Sequence, residues 1–197
     1  MGRAERERIG VLGGTFDPVH VGHLVAAADA RWQLSLDRVL LMVANQPWQK
    51  EGTRSISPAE DRYGMVAAAV ADVPGVEASR MEIDRGGETY TAETLEALAA
   101  QDPAAELFCI VGADVAAELR SWRRVDDVLR LATIVVVARL GTGTSAPDGF
   151  LRVDIPRIDV SSSELRARAA AGGPLDGLVP PAALHWIRRR GLYAGGG

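Results

Sequence analysis

The run Gly13-Gly14-Thr15-Phe16-Asp17-Pro18-Val19-His20-Val21-Gly22-His23 combines two glycines, a turn-forming Asp-Pro pair and two imidazoles. It follows the apolar stretch 9–12 and precedes the alanine-rich stretch 24–28, so it reads as strand, glycine-rich turn and helix start. A helix start presents unpaired N–H groups and the positive end of the helix dipole, which together make an anion site. Gly13 and Gly14 let the backbone come close to a phosphate or adenosine group, and Thr15 and Phe16 continue the same loop. His20 and His23, three apart, share one helix face, and Gly22 leaves room beside it. Two imidazoles placed there donate hydrogen bonds to phosphoryl oxygens and stabilise charge that develops on them. The chemistry suggested is chemistry on a nucleotide phosphate.

A second cluster lies at Ser161-Ser162-Ser163-Glu164-Leu165-Arg166. Hydroxyls and free N–H groups at a helix start, with Arg166 one turn in, make a second phosphate clamp. The same residues also read as an ordinary capping box of Ser161 with Glu164, and both readings hold together.

These residues need elements to carry them. Strand-like apolar runs recur at 9–12, 38–44, 76–83, 107–111, 133–138 and 151–155, separated by alanine-rich helical patterns. Ser57-Pro58-Ala59-Glu60 is a capping box that predicts a helix over 61–72, Thr91-Ala92-Glu93-Thr94 predicts one to about residue 101, and Ser161 predicts a third. Alternating strand and helix predicts an α/β fold, a Rossmann-like doubly wound parallel sheet with helices on both faces. Ligands of such sheets bind at the carboxyl ends of the strands, near the switch point. The stretch 161–193 predicts a small helical C-terminal subdomain, and the expected organisation is a tail over 1–8, one domain over 9–193 and a tail over 194–197.

Length and composition bound the class. The 197 residues suit one domain with a sizeable core, and 47% apolar with 24% charged residues is ordinary globular usage. A net charge of −4 argues against a protein that coats nucleic acid, and no apolar run approaches a membrane span. The single Cys109 lies in an apolar run and reads as a small core hydrophobe. One cysteine forms no internal disulfide, so a cytoplasmic setting is expected. His185, away from any motif, reads as a surface or core residue, and Arg188-Arg189-Arg190 as a solvated helix end.

The first run resembles the G-x-F-D-P-x-H-x-G-H signature of the nucleotidyltransferase superfamily, with every fixed position met from Gly14 to His23. The cluster at 160–166 resembles that superfamily's I-S-S-T-x-I-R motif, with Ser163 for threonine and Leu165 for isoleucine. Tyr90-Thr91 before Thr94-Leu95, the Gly112-Ala113-Asp114 run at a strand end, Trp122 shortly after, and the C-terminal Trp186 to Tyr193 segment resemble bacterial nicotinate mononucleotide adenylyltransferases. The resemblance implies transfer of an adenylyl group from ATP to nicotinate mononucleotide, with Mg²⁺ delivered on ATP and no metal-ligand set of the protein's own. It implies catalytic roles for His20, His23 and Arg166. It implies ATP contacts from Gly13, Gly14, Thr15, Phe16, His20, His23, Lys50, Ser161, Ser162, Ser163 and Arg166. Thr91, Asp114, Trp122 and Arg139 are the implied substrate-binding residues: Thr91 at a helix start for the ring carboxylate, Trp122 as a flat face for the pyridinium, Asp114 for a ribose hydroxyl or metal-bound water, and Arg139 for a phosphate. Self-association into a homo-oligomer is compatible with all of this.

Two departures from the family pattern stand out. Val43-Ala44 precedes Asn45 where the family has V-P, and Leu140-Gly141 follows Arg139 where it has P-G. Rival readings are weaker. A pantetheine-phosphate adenylyltransferase resembles T-x-G-H, and neither it nor a cytidylyltransferase carries the Tyr90, Thr91, Asp114 and Trp122 set. A regulatory nucleotide-binding module without turnover has no need of both histidines and Arg166. A dinucleotide-binding dehydrogenase needs G-x-G-x-x-G, which residues 13–18 do not supply.

Overall fold

A computed structural model describes residues 6–47, 56–141 and 146–194. Lys50 lies outside the described residues, as do 1–5 and 195–197.

Six strands form one sheet: β1 (Arg8–Gly14), β2 (Arg38–Val43), β3 (Val76–Ser79), β4 (Glu106–Gly112), β5 (Ala132–Arg139) and β6 (Leu151–Ile155), in spatial order β3-β2-β1-β4-β5-β6. Every neighbouring pair is parallel. The chain steps outward from β1 through β2 to β3, then crosses back to lay β4 on the other side of β1. That reversal opens a crevice at the carboxyl ends of β1 and β4.

Strands buried on both faces read as near-continuous apolar runs. Their side chains divide by alternation between two cores. Leu12, Val39, Leu41, Ile110, Val135 and Val137 pack on one face with α1 (Val21–Gln33) and α2 (Ala59–Val70). Ile9, Val11, Leu40, Met42, Cys109, Ile134 and Val136 pack on the other, against α4 (Thr91–Gln101), α5 (Ala113–Ala117) and α6 (Val125–Leu131). The short α3 (Met81–Arg85) follows β3. No described helix is long and apolar enough to cross a membrane.

Three local expectations are corrected. The run 76–83 is not one strand: pairing with β2 stops at Ser79, and the chain turns through Arg80 into α3. Arg80 there binds Glu60 and Asp84, and the Ser79 hydroxyl accepts the Met81 N–H at 3.4 Å, local bonds that compete with the ladder. The Ser57 capping box does not form. Helix α2 starts at Ala59 behind Pro58 with no side-chain cap. Arg8, assigned by composition to the tail, is the first residue of β1; its backbone N–H binds Asp37 at 2.7 Å and its guanidinium binds the Leu34 carbonyl at 2.6 Å.

The C-terminal helices α7 (Ser162–Ala170) and α8 (Pro181–Arg190) share the first core through Leu165, Leu175, Val179, Leu184 and Ile187. Helix α8 packs on α2 where Gly64 removes a side chain. A Cβ at Gly64 would lie 2.2 Å from the Trp186 ring. The buried Asp61 accepts from the Trp186 indole at 3.3 Å and from Arg190 at 2.7 Å, so Arg190, exposed at the helix end as expected, is also an ion-pair partner. Replacing Gly64 by Ala is expected to destabilise the protein by about 1–3 kcal/mol through overpacking. Urea denaturation reads this as a lower midpoint; an unchanged midpoint would show that α8 is not held against α2 in this way.

Candidate active site

The first motif folds as the sequence predicts, and the structure adds how its side chains are held. Gly13 and Gly14 end β1, and Phe16 takes a left-handed φ of +50°. That turn lays the Phe16 ring beside Gly14, where a Cβ would come within 2.9 Å of it. Phe16 is 2% exposed and meets His23 edge-on, with ring centroids 4.9 Å apart. Its ring therefore backs the imidazole.

His20 is the N-cap of α1 and His23 stands in its first turn. The His20 backbone N–H donates to His23 Nδ1 at 3.2 Å, and the two rings stack with centroids 3.7 Å apart and planes 23° from parallel. Gly22 makes this possible, since a Cβ there would lie 3.1 Å from His20 Nδ1. His20 is 7% exposed, and its Nδ1 has no hydrogen-bond partner among the described residues. Burial, and then the nearby Arg139 guanidinium, push the His20 pKa down to about 4, so the ring is neutral at pH 7.

Helix α7 brings the second motif to the same place. Ser161 caps the helix, accepting from the Glu164 backbone N–H at 3.2 Å. The Ser162 hydroxyl donates to the Pro18 carbonyl at 2.9 Å, and Arg166 donates to the Asp17 carbonyl at 2.7 Å and to Ser163 at 3.0 Å. Thus α7 is fastened to the β1–α1 loop by polar groups from both motifs. A cavity of about 790 Å³ opens between them. Gly13, Gly14, Thr15, Phe16, His20, His23, Ser161, Ser162, Ser163 and Arg166 all line it. Arg139 lines this cavity too, and not the one that holds Thr91 and Trp122. Its guanidinium also meets Asp159 at 3.4 Å.

The other cavity, of about 450 Å³, lies across the crevice. Thr91, Asp114 and Trp122 line it. Thr91 is the first residue of α4, with Tyr90 as N-cap, so the expected threonine cap is displaced by one residue. Asp114 lines both cavities and sits in the first turn of α5. Its carboxylate folds back over Gly112, where a Cβ would come within 2.7 Å of Oδ1. The Trp122 Nε1 is buried with no hydrogen-bond partner among the described residues. The two cavities share Leu12, Gly13, Gly14 and Thr15 from β1 and its loop, and Gly112, Asp114 and Val115 after β4. They are therefore contiguous across the switch point.

Three supporting residues were not picked out from sequence. Arg62 on α2 donates to the carbonyls of Thr15, Ala44, Asn45 and Ser57 at 2.6 to 3.0 Å. Tyr193 donates its phenol to Asp17 Oδ1 at 2.6 Å, and burial together with that carboxylate drives its pKa up. Glu82 accepts from Thr94 at 2.5 Å in the floor of the smaller cavity, and burial raises its pKa. Arg62 sits in an alanine-rich helix, where no spacing sets it apart. The Tyr193 bond spans most of the chain, and no local pattern encodes it. Cys109 is core, its thiol pushed up to about 12 by burial.

The fold and its paired cavities define a class, and the comparisons agree on it: the model of the family described as cytidylyltransferase-like matches residues 11–168. Among similar proteins, "Probable nicotinate-nucleotide adenylyltransferase" of Saccharopolyspora erythraea is 46% identical over 98% of this chain and 92% of its own. The protein of the same name in Streptomyces coelicolor is 44% identical over 93% of this chain and 100% of its own. A solved Plasmodium falciparum nicotinic acid mononucleotide adenylyltransferase, complexed with NaAD, has the same fold at a TM-score of 0.79, with 15% identity over 95% of this chain and 98% of its own. The chain belongs to the cytidylyltransferase-like family and, within it, to the nicotinate-nucleotide adenylyltransferase family that these relatives form.

The buried, neutral His20 makes stability depend on pH. Between about pH 6.5 and 4 the unfolded chain binds a proton at this residue that the folded chain does not, so stability falls as pH falls through that window. The loss is on the order of 3 kcal/mol in the ligand-free protein. Denaturation at several pH values, with His20→Asn beside the parent, is expected to show a shallower slope in the variant. Identical slopes would contradict the buried neutral imidazole.

Proposed function

We propose that the chain joins ATP and nicotinate mononucleotide to give deamido-NAD and pyrophosphate, a step of NAD biosynthesis. The observation that carries this reading is the pair of contiguous cavities at the β1/β4 switch point, one lined by both histidines and Arg166, the other by Thr91 and Trp122. ATP enters the larger and the mononucleotide the smaller, and their phosphates meet over Gly13 and Gly14. The mononucleotide phosphate, already an anion, attacks the α-phosphorus in line, so no protein nucleophile or strong base is needed. Catalysis is positioning plus stabilisation of charge on the phosphoryl oxygens.

In this reading His23 and His20 donate to ATP phosphate oxygens, and the neutral His20 contributes an N–H rather than a cation. Arg166, with Lys50, holds the leaving pyrophosphate, and the first-turn N–H groups of α7 at Ser162 and Ser163 complete that clamp. Arg139, placed by the larger cavity, serves a phosphate. Thr91 heads α4 towards the ring carboxylate, and Trp122 offers its face to the pyridinium. Phe16 acts from behind by fixing His23. Residues 9–193 form one catalytic domain in this proposal, and the reaction draws on cytoplasmic ATP.

Among the described residues no group of three or more His, Cys, Asp or Glu could hold a metal ion. Mg²⁺ arriving on ATP would keep most of its waters, and Asp114, lining both cavities, is the carboxylate that would hold one of those waters. The ion would offset negative charge on the phosphate oxygens.

The test is pyrophosphate release by the purified protein with ATP, Mg²⁺ and nicotinate mononucleotide; no release would overturn the reading. His23→Ala is expected to lower kcat by several orders of magnitude while leaving the fold intact by circular dichroism. An unchanged kcat would remove His23 from the chemistry.

A further inference from the structure

The smaller cavity is walled by acids. Its charged lining residues are Glu82, Asp114, Glu118 and Arg123, so Arg123 is the one cation among the described residues that line it. An acid-walled pocket disfavours an anionic ligand, and the mononucleotide proposed for it carries a ring carboxylate. Selection of that carboxylate over a neutral carboxamide calls for a compensating positive charge.

Arg123 is placed to supply it. Its guanidinium carbon lies 4.5 Å from the centroid of the Tyr90 ring. Tyr90 is the N-cap of α4 and immediately precedes Thr91, so the cation stands beside the helix start, and Tyr90, Thr91 and Arg123 line the same cavity. Neighbouring arginines have protein partners: Arg124 pairs with Glu96 and Asp127, and Arg85, which is not among the lining residues, pairs with Glu93, donates to Thr94 at 3.5 Å and acts on Glu82. Arg123, exposed at the cavity mouth, has the Tyr90 ring as its described contact and no carboxylate partner among the described residues. Stacking on an aromatic face orients a guanidinium while leaving its in-plane donors available, and those donors match a carboxylate in bidentate fashion.

We propose that Arg123 is a specificity-determining residue: its guanidinium, perched on Tyr90 beside the start of α4, pairs with the ring carboxylate and sets the preference for nicotinate over nicotinamide mononucleotide. This rests on the function proposed above.

The experiment compares kcat/KM for the two mononucleotides in the parent, Arg123→Met and Arg123→Lys, at low and high salt. Loss of one charge-assisted, bidentate contact is expected to cost about tenfold in discrimination. In Arg123→Met the nicotinate-to-nicotinamide ratio should fall by that factor, chiefly through KM for nicotinate mononucleotide, while KM for ATP stays constant. Arg123→Lys should keep most of the ratio, and the parent ratio should drop with added salt where that of Arg123→Met does not. A ratio unchanged in Arg123→Met, or an equal fall on both substrates, would overturn the assignment. A parent protein inactive on both mononucleotides would instead overturn the function itself, and this assignment with it.

Discussion

Arg62 is 1% exposed, and its N–H groups reach the carbonyls of Thr15, Ala44, Asn45 and Ser57. Two of those carbonyls follow β2 and one follows β1, so a single side chain from α2 ties the loops at the carboxyl ends of adjacent strands. Those loops leave the sheet just where the ladder ends, and their buried carbonyls need donors that the strands no longer supply. A guanidinium with its donors in a fixed fork serves several at once, and multiple bonds offset the cost of burying its charge. The rest of the site is built outward from this point. Thr15 leads to Phe16, whose ring supports His23, and Asn45 binds Thr89 and Gly87 ahead of α4. The floor of each cavity thus traces back to the same buried cation.

The β1–α1 loop is held from its far side by a second set of bonds. Arg166 and Ser162 of α7 take the carbonyls of Asp17 and Pro18, and Tyr193 takes the Asp17 carboxylate. Asp17 is 1% exposed and its carboxylate is taken by Tyr193, so this turn of the motif is anchored to the architecture where it lines the larger cavity. The loop therefore enters the reaction rigid. That suits a mechanism in which the protein contributes position and charge and no covalent intermediate.

Much of this was legible in the sequence because it is local. The glycine–histidine run, its preceding strand and its following helix lie within a few residues of each other, and period and turn chemistry suffice to place them. The parallel sheet followed from alternation of apolar runs with helices, and the Ser161 cap from its own three-residue spacing to Glu164. What escaped was either long-range or competitive. The partners of Arg62 and Tyr193 are distant in sequence. The run 76–83 looked like a strand by hydropathy, but Arg80 and Ser79 found better local partners than the sheet edge offered. Ser57 looked like a cap, yet Pro58 starts the helix without it, and the Ser57 carbonyl is taken by Arg62. Arg139 is assigned to a phosphate because the family resemblance has an arginine there, and resemblance alone does not say which cavity it lines; the structure puts it in the wall of the cavity that holds the histidines.

The central claim is that the two cavities meet over β1 and β4 so that the acceptor phosphate attacks ATP directly, with no residue of the protein bonded to the α-phosphorus along the way. Stereochemistry at that phosphorus tests it most directly. With a single diastereomer of an ATP analogue carrying sulfur on the α-phosphorus, one in-line displacement gives a dinucleotide of inverted configuration at phosphorus. Inversion is the predicted result. Retention would mean two displacements through a covalent nucleotidyl-protein intermediate and would contradict the account.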